Sequence, residues 1–323
     1  MINVAILGFG VVGGGVGKIL QDGTINKKLG QEVNLTRILC RKTLPHPPFD
    51  TLATHNFDDI LNDDQISIVV ETIGGLNPAY DYTKRALEHG KSVITSNKEL
   101  VATHGVELMA LAKKLGVSYM FEASVGGGVP IIRPLVQCLA ADEITQIMGI
   151  LNGTTNYILT KMISDDKTFA EALSEAQAKG YAESDPTADV EGHDTCRKIS
   201  ILSSLCYGRQ VDYKNIPTVG ISNVSLDDIK AAMSRGSTIK LVGISKRNDD
   251  GTISAEVKPM ELPSSHPLSG VDDVYNAILV TGSITGDVMF YGRGAGRYPT
   301  ASAVIADIVD VVKNGNRNAP SWK

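Results

Sequence analysis

A stretch near the middle of the chain, Gly180-Tyr181-Ala182-Glu183-Ser184-Asp185-Pro186 and on to Asp189, Asp194 and Lys198, gathers carboxylates and a lysine where a loop turns into a helix. Asp194 and Lys198 are four residues apart, so a helix puts them on one face. Ile201, Leu202 and Leu205 continue near that stripe and are expected to be buried. An anion and a cation at the head of an apolar face form either a buried ion pair or a polar site at a domain boundary. Proton transfer to a substrate oxygen is the chemistry such a lysine could perform. Neighbouring His193 faces another way on a helix and is set aside, and Cys196 reads as a small buried residue.

A second group of residues stands at the start of the chain. Gly8-Phe9-Gly10-Val11-Val12-Gly13 follows directly on the apolar run 2–7 and opens a segment with helical spacing at Val16, Ile19 and Leu20. This is the context in which Gly-x-Gly-x-x-Gly binds a dinucleotide. The first glycine permits the turn, the second lets the main chain approach the pyrophosphate, and the third lets helix and strand pack closely. The phosphates then meet free N–H groups at the positive end of the helix. The next strand ends in Cys40-Arg41-Lys42 and carries no acid for a ribose hydroxyl. Two bases at that point suit a 2′-phosphate, which predicts NADP(H) in preference to NAD(H).

Positioning these groups requires more than one core. The chain has 323 residues, 42% hydrophobic and 21% charged, with a net charge of −5, a globular composition long enough for two domains. The dispersed charge argues against nucleic acid as a partner. No run is long enough to span a membrane, and the N-terminus lacks the features of a secretion signal. The four cysteines (Cys40, Cys138, Cys196, Cys206) are scattered, which fits reduced thiols in the cytoplasm.

Strands at 2–7, 34–40, 66–72, 92–95 and 117–121 alternate with helices, including 78–88 and 105–115, as in a doubly wound parallel sheet. Beyond Pro130 the pattern becomes α+β. A strand at 143–151 precedes helices at 154–163 and 169–178 and one long helix over 187–206. Antiparallel strands follow at 239–245, 253–257 and 277–281. A last helix, 301–312, ends at Gly315 and is expected to pack on the first domain. The expected division is a dinucleotide-binding domain at 1–130, completed by the helix in 297–323, and a second α+β domain at 131–296. The segment 44–49, rich in proline, reads as a stiff loop.

Several further segments join these in order: Thr95-Ser96-Asn97-Lys98-Glu99, Glu122-Ala123-Ser124-Val125-Gly126-Gly127-Gly128-Val129-Pro130, Asn152-Gly153-Thr154-Thr155-Asn156-Tyr157, and Gly294-Ala295-Gly296 before Pro299-Thr300-Ala301. With Asp189-x-x-x-x-Asp194-x-x-x-Lys198, they make the whole chain resemble the homoserine dehydrogenases. The resemblance implies a Rossmann-type domain and a second domain for substrate binding and dimerisation. It also implies reversible, nicotinamide-dependent reduction of L-aspartate 4-semialdehyde to L-homoserine, a step toward threonine and methionine.

Carried onto this sequence, the resemblance makes Lys198, Lys98 and Asp194 the catalytic candidates and Glu183, Asp189, Asp194, Tyr181 and Thr154 the substrate ligands. Gly8, Phe9, Gly10, Val11, Val12, Gly13, Arg41, Lys42, Thr72, Ser96, Lys98 and Gly296 form the expected cofactor site. Glu122, with carbonyls of Val125, Gly127 and Val129, would hold Na⁺ or K⁺; read from the residues alone, Glu122 caps a turn in a glycine-rich hinge. A homodimer is implied. The chain ends soon after its last helix, so no C-terminal regulatory domain is expected. Two alternatives remain open: another NAD(P)-dependent amino-acid or alcohol dehydrogenase, and a dinucleotide-sensing regulator. An aspartate semialdehyde dehydrogenase is disfavoured because acyl-enzyme chemistry requires an activated cysteine.

Overall fold

The structure, a computed structural model, describes every residue except 43, 45, 46 and 318; the middle of the proline-rich loop at 44–49 therefore lies outside the described residues. The chain divides into two compact units, Met1–Gln137 with Gly296–Lys323, and Cys138–Ala295. No helix among the described residues is long and apolar enough to cross a membrane.

The first unit is built on six strands: β1 (Ile2–Leu7), β2 (Val33–Leu39), β3 (Ala53–Thr54), β4 (Ile66–Glu71), β5 (Ser92–Thr95) and β6 (Tyr119–Met120). All pair in parallel, in the order β3-β2-β1-β4-β5-β6. Val4, Ala5, Ile6 and Leu7 are fully buried, as expected for a central strand covered on both faces. Chain order reverses between β1 and β4, and ligands of open parallel sheets gather beside such a reversal.

Helices α1 (Val11–Gln21), α2 (Thr24–Leu29), α3 (Asp58–Leu61), α4 (Ala79–Glu88) and α5 (Lys98–Leu115) fill the crossovers. Helix α5 begins seven residues before the expected start, because the Asn97 side chain accepts the Leu100 N–H and caps it there. The C-terminal helix, Arg297–Asn314, packs Ala301, Val304 and Ile308 into the same core as Val4, Ile6 and Val16.

The second unit begins with β7 (Ile144–Ile150), α6 (Gly153–Ser164) and α7 (Phe169–Ala178). The helix expected over 187–206 is two helices, α8 (Thr187–Val190) and α9 (His193–Tyr207). The break falls at Gly192, whose φ of 81° only glycine adopts without strain. Next come α10 (Leu226–Ser234), which the sequence reading did not anticipate, and strands β8 (Ser237–Arg247), β9 (Ile253–Pro263), β10 (Tyr275–Gly282) and β11 (Gly286–Arg293). The antiparallel sheet runs β11-β10-β7-β8-β9. Helix α9 lies close over it, and a side chain at Gly243 would touch Thr195 and Ile199 at 3.1 Å.

The third glycine of the N-terminal loop is the tightest point of the first unit. A Cβ on Gly13 would sit 2.1 Å from the Gly8 carbonyl oxygen and 2.8 Å from the Thr72 hydroxyl, whereas one on Gly10 would meet nothing within 4 Å. Gly13→Ala should therefore destabilise the fold by about 2 kcal/mol or more through overpacking. Gly10→Ala strikes no neighbour and should cost less, about 1 kcal/mol at most for exchanging a glycine helix cap. Equal midpoints for the two variants would contradict this packing.

Candidate active site

The carboxylates and lysine of the second unit stand on α8 and α9 and meet partners from the end of β7 and the start of α6. Lys198, on α9, directs its ammonium to Asp194 Oδ2 at 2.7 Å and to the Leu151 carbonyl at 2.7 Å, just past the end of β7. Both side chains are nearly closed off, with Asp194 4% and Lys198 9% exposed. Asn152, before α6, donates its amide hydrogens to Asp189 Oδ1 at 2.7 Å and Asp194 Oδ2 at 2.9 Å. Asp189, on α8, is half-buried. Burial and the nearby Asp194 charge hold its carboxyl above the usual carboxylate range, while Asn152 and Lys198 pull the other way.

The loop 179–186 is moored beside this cluster. Thr154 donates its hydroxyl to the Tyr181 carbonyl at 2.8 Å, so that hydroxyl fixes the loop. The Tyr181 ring is largely exposed and rests edge-on against Tyr157, 5.0 Å between centroids. Gln177 donates to the Glu183 carbonyl, and the Glu183 residue stands exposed. His193 is exposed and Cys196 buried; burial pushes the Cys196 thiol up, which leaves it poorly suited to act as a nucleophile.

In the first unit the expected cofactor residues collect at the carboxyl ends of β1, β2, β4 and β5. Gly8 has φ of 88°, and Thr72 donates its hydroxyl to the Gly8 carbonyl at 2.7 Å, tying the glycine loop to the segment after β4. Phe9 packs on Phe49, and a Cβ on Gly17 would strike the Phe9 ring at 2.8 Å. Val11 is exposed and Val12 half-buried at the start of α1. Arg41 and Lys42 are exposed just beyond β2. Gly15 of α1 lies against Arg297, next to Gly296, whose φ of 115° demands glycine.

Glu71, the fully buried last residue of β4, organises the neighbouring loops. It accepts the N–H groups of Ile73 and Gly74 and, at 2.5 Å, the Thr95 hydroxyl. Thr95 Oγ1 in turn accepts the Asn97 N–H, and Asn97 donates its amide to the Gly75 carbonyl. Thr72, Ser96 and Lys98 are carried on these bonded loops. Burial raises the Glu71 carboxyl above its ordinary range.

Glu122 acts as the cap that the residues alone suggested. Its carboxylate accepts the N–H groups of Ile131, Ile132 and Arg133 at 2.7–2.9 Å and faces the Arg133 guanidinium at 3.5 Å. Its own N–H donates to Asp307 of the C-terminal helix, which Arg133 also reaches at 2.6 Å. The carboxylate caps the crossover, while the Glu122 N–H and the Arg133 guanidinium join it to that helix. Among the described residues no group of three His, Cys, Asp or Glu side chains is arranged to hold a metal ion.

Two family profiles match the chain: one described as homoserine dehydrogenase, over residues 130–309, and one as homoserine dehydrogenase, NAD binding domain, over 8–122. The chain belongs to the homoserine dehydrogenase family. It is 44% identical to the homoserine dehydrogenase of Bacillus subtilis over 97% of this chain and 73% of that protein. A solved homoserine dehydrogenase from Thiobacillus denitrificans superposes with a TM-score of 0.91 at 41% identity, over 97% of this chain and 73% of that one. A hyperthermophilic archaeal homoserine dehydrogenase, solved in complex with NADPH, matches at 30% identity and a TM-score of 0.82, over 98% of this chain and 99% of that one. As a homoserine dehydrogenase the chain is an oxidoreductase acting on a CH–OH group, with a nicotinamide-binding domain at its N-terminus.

Within this homoserine dehydrogenase the structure brings Asp189, Asp194 and Lys198 into one cluster and leaves Glu183 exposed near it. Two organising residues escaped the sequence reading. Glu71 had a signal, a lone acid closing the apolar strand 66–71. Asn152 lay within a quoted motif but had no assigned role, because its partners are 37 and 42 residues away.

The buried pair has a measurable signature. Lys198→Met removes the ammonium bonded to buried Asp194 and should cost about 3 kcal/mol of unfolding free energy. Adding Asp194→Leu should recover part of that loss. Strictly additive losses in the double-mutant cycle would show that the two charges are not coupled.

Proposed function

We propose that Lys198 is the acid/base of the reaction that interconverts L-aspartate 4-semialdehyde and L-homoserine. The observation that carries this reading is the state of its amine. An ammonium has three hydrogens, and two are committed, to Asp194 and to the Leu151 carbonyl. The third is available to a substrate oxygen, and the first two fix its direction. The nicotinamide, when bound, supplies or accepts the hydride. Lys198 stabilises the alkoxide and gives it a proton in the reduction, or takes the proton back in the oxidation. Asp194 aims the amine, and Asp189 adds a second carboxylate for the polar end of the amino acid. Glu183, exposed on the moored loop, receives the substrate's α-ammonium, with Tyr181 beside it. Lys98, at the first turn of α5, is the second catalytic lysine. Lys198→Ala should lower kcat by about 10²–10⁴ while leaving cofactor binding intact. Near-normal turnover of that folded variant removes Lys198 from the chemistry.

The first unit is read as the cofactor domain, through Gly8–Gly13, Thr72, Ser96, Lys98 and Gly296, and the second as the substrate and dimerisation domain. Arg41 and Lys42 favour NADP(H), because guanidinium and ammonium groups pair with a 2′-phosphate. The NADPH complex of the archaeal relative is in line with this preference. Arg41→Asp should shift the ratio of kcat/KM for NADP⁺ over NAD⁺ by tenfold or more toward NAD⁺; an unchanged ratio refutes the role of Arg41.

A monovalent cation, Na⁺ or K⁺, would be held by main-chain carbonyls of Glu122, Val125, Gly127 and Val129, oxygen donors of the kind hard cations take. The edge strand β11, with Met289 and Tyr291 exposed, supports a homodimer formed through the second unit. The four free cysteines agree with a reducing, cytoplasmic setting.

A further inference from the structure

Asn152 occupies a position where a neutral amide does what no charged side chain could do. It precedes α6, is 6% exposed, and uses every polar atom of its side chain. Its Oδ1 accepts the Thr155 N–H at 2.9 Å and the Thr155 hydroxyl at 3.1 Å. That fixes the amide's direction, since turning it over would set an NH₂ group against an N–H. The two hydrogens of Nδ2 must then face outward, where they meet Asp189 Oδ1 at 2.7 Å and Asp194 Oδ2 at 2.9 Å. One side chain thus caps a helix and stands between two carboxylates.

The charges around it explain why this matters. Asp189 comes from α8, Asp194 and Lys198 from α9, the Leu151 carbonyl from the end of β7, and the Thr154 hydroxyl from α6. The two anions lie close together, and Lys198 bonds Asp194. The amide is therefore the donor that Asp189 and Asp194 have in common, and it holds their oxygens at fixed positions.

We propose that Asn152 is a positioning residue of the reaction, whose amide sets the spacing and aim of Asp189 and Asp194 and thereby the affinity for the amino-acid substrate. This rests on the reading of those two aspartates as substrate ligands. Loss of the amide also removes a charge-assisted bond that favours ionised Asp189, so protonation of that carboxyl should begin at higher pH.

Asn152→Ser and Asn152→Asp separate the two tasks of the side chain. Serine and aspartate cap helices as well as asparagine, but neither can donate to both carboxylates, and aspartate adds a third negative charge. For Asn152→Ser, folded by circular dichroism, KM for homoserine should rise about tenfold or more, as expected for a lost bond to a charged group. KM for the cofactor should stay within about twofold. The acid limb of the pH profile of kcat/KM should move to higher pH. Asn152→Asp should be worse on every homoserine measure. An Asn152→Ser enzyme with the wild-type homoserine KM and acid limb overturns the proposal. Parallel losses for homoserine and cofactor, without a shift of the acid limb, also overturn it, since they mark a purely structural cap. Asp189→Asn and Asp194→Asn identify the source of a failure. If both keep the wild-type homoserine KM, the underlying assignment of the aspartates is wrong; if both raise it while Asn152→Ser does not, only the role of Asn152 falls.

Discussion

One carboxylate and one ammonium nearly sealed from water, Asp194 and Lys198, with half-buried Asp189 beside them, set the terms for the second unit. Each buried charge would cost several kcal/mol if it lacked partners. The chain meets that demand from four directions: a carbonyl past β7, an amide before α6, an aspartate on α8, and an aspartate–lysine pair on α9. Ions held this way cannot relax as water would, so their directions are set before any substrate arrives. The helix break, the glycine under α9 and the moored loop 179–186 all serve to bring these groups into register.

The first unit solves a related problem with neutral donors. Its glycine loop is tied at both polar groups of Gly8, whose N–H donates to the Leu39 carbonyl and whose carbonyl accepts the Thr72 hydroxyl. Behind it, Glu71 gathers two N–H groups and a hydroxyl and so locks the turns after β4 and β5 together. A buried acid serves here because a carboxylate accepts on both oxygens and three donors point at it. Glu122 repeats the device at the crossover, where three successive N–H groups end on one carboxylate.

Much of this was legible in the sequence, for reasons that differ by segment. The glycine loop was readable because its function depends on neighbours within six residues and on a strand directly before it. The parallel sheet showed in its continuous apolar runs, and the Asp194–Lys198 pair in its helical spacing. The start of α5 was misplaced because a single capping side chain, Asn97, decided it. The role of the Glu122 carboxylate depended on where the chain returns nine to eleven residues later, which spacing does not encode.

The residue types that could do chemistry, and their assignment to a nucleotide loop and a carboxylate–lysine segment, were properties of the sequence by itself. The tertiary structure decided how the carboxylates meet. Five residues of unbroken helix would turn Asp189 about 140° away from Asp194. Left-handed Gly192, close against Thr218 and Val257, breaks the helix so that both acids reach one amide from a distant strand end. Local propensity acts over a few residues, whereas that convergence depends on packing among segments some forty residues apart, and packing belongs to the whole folded unit.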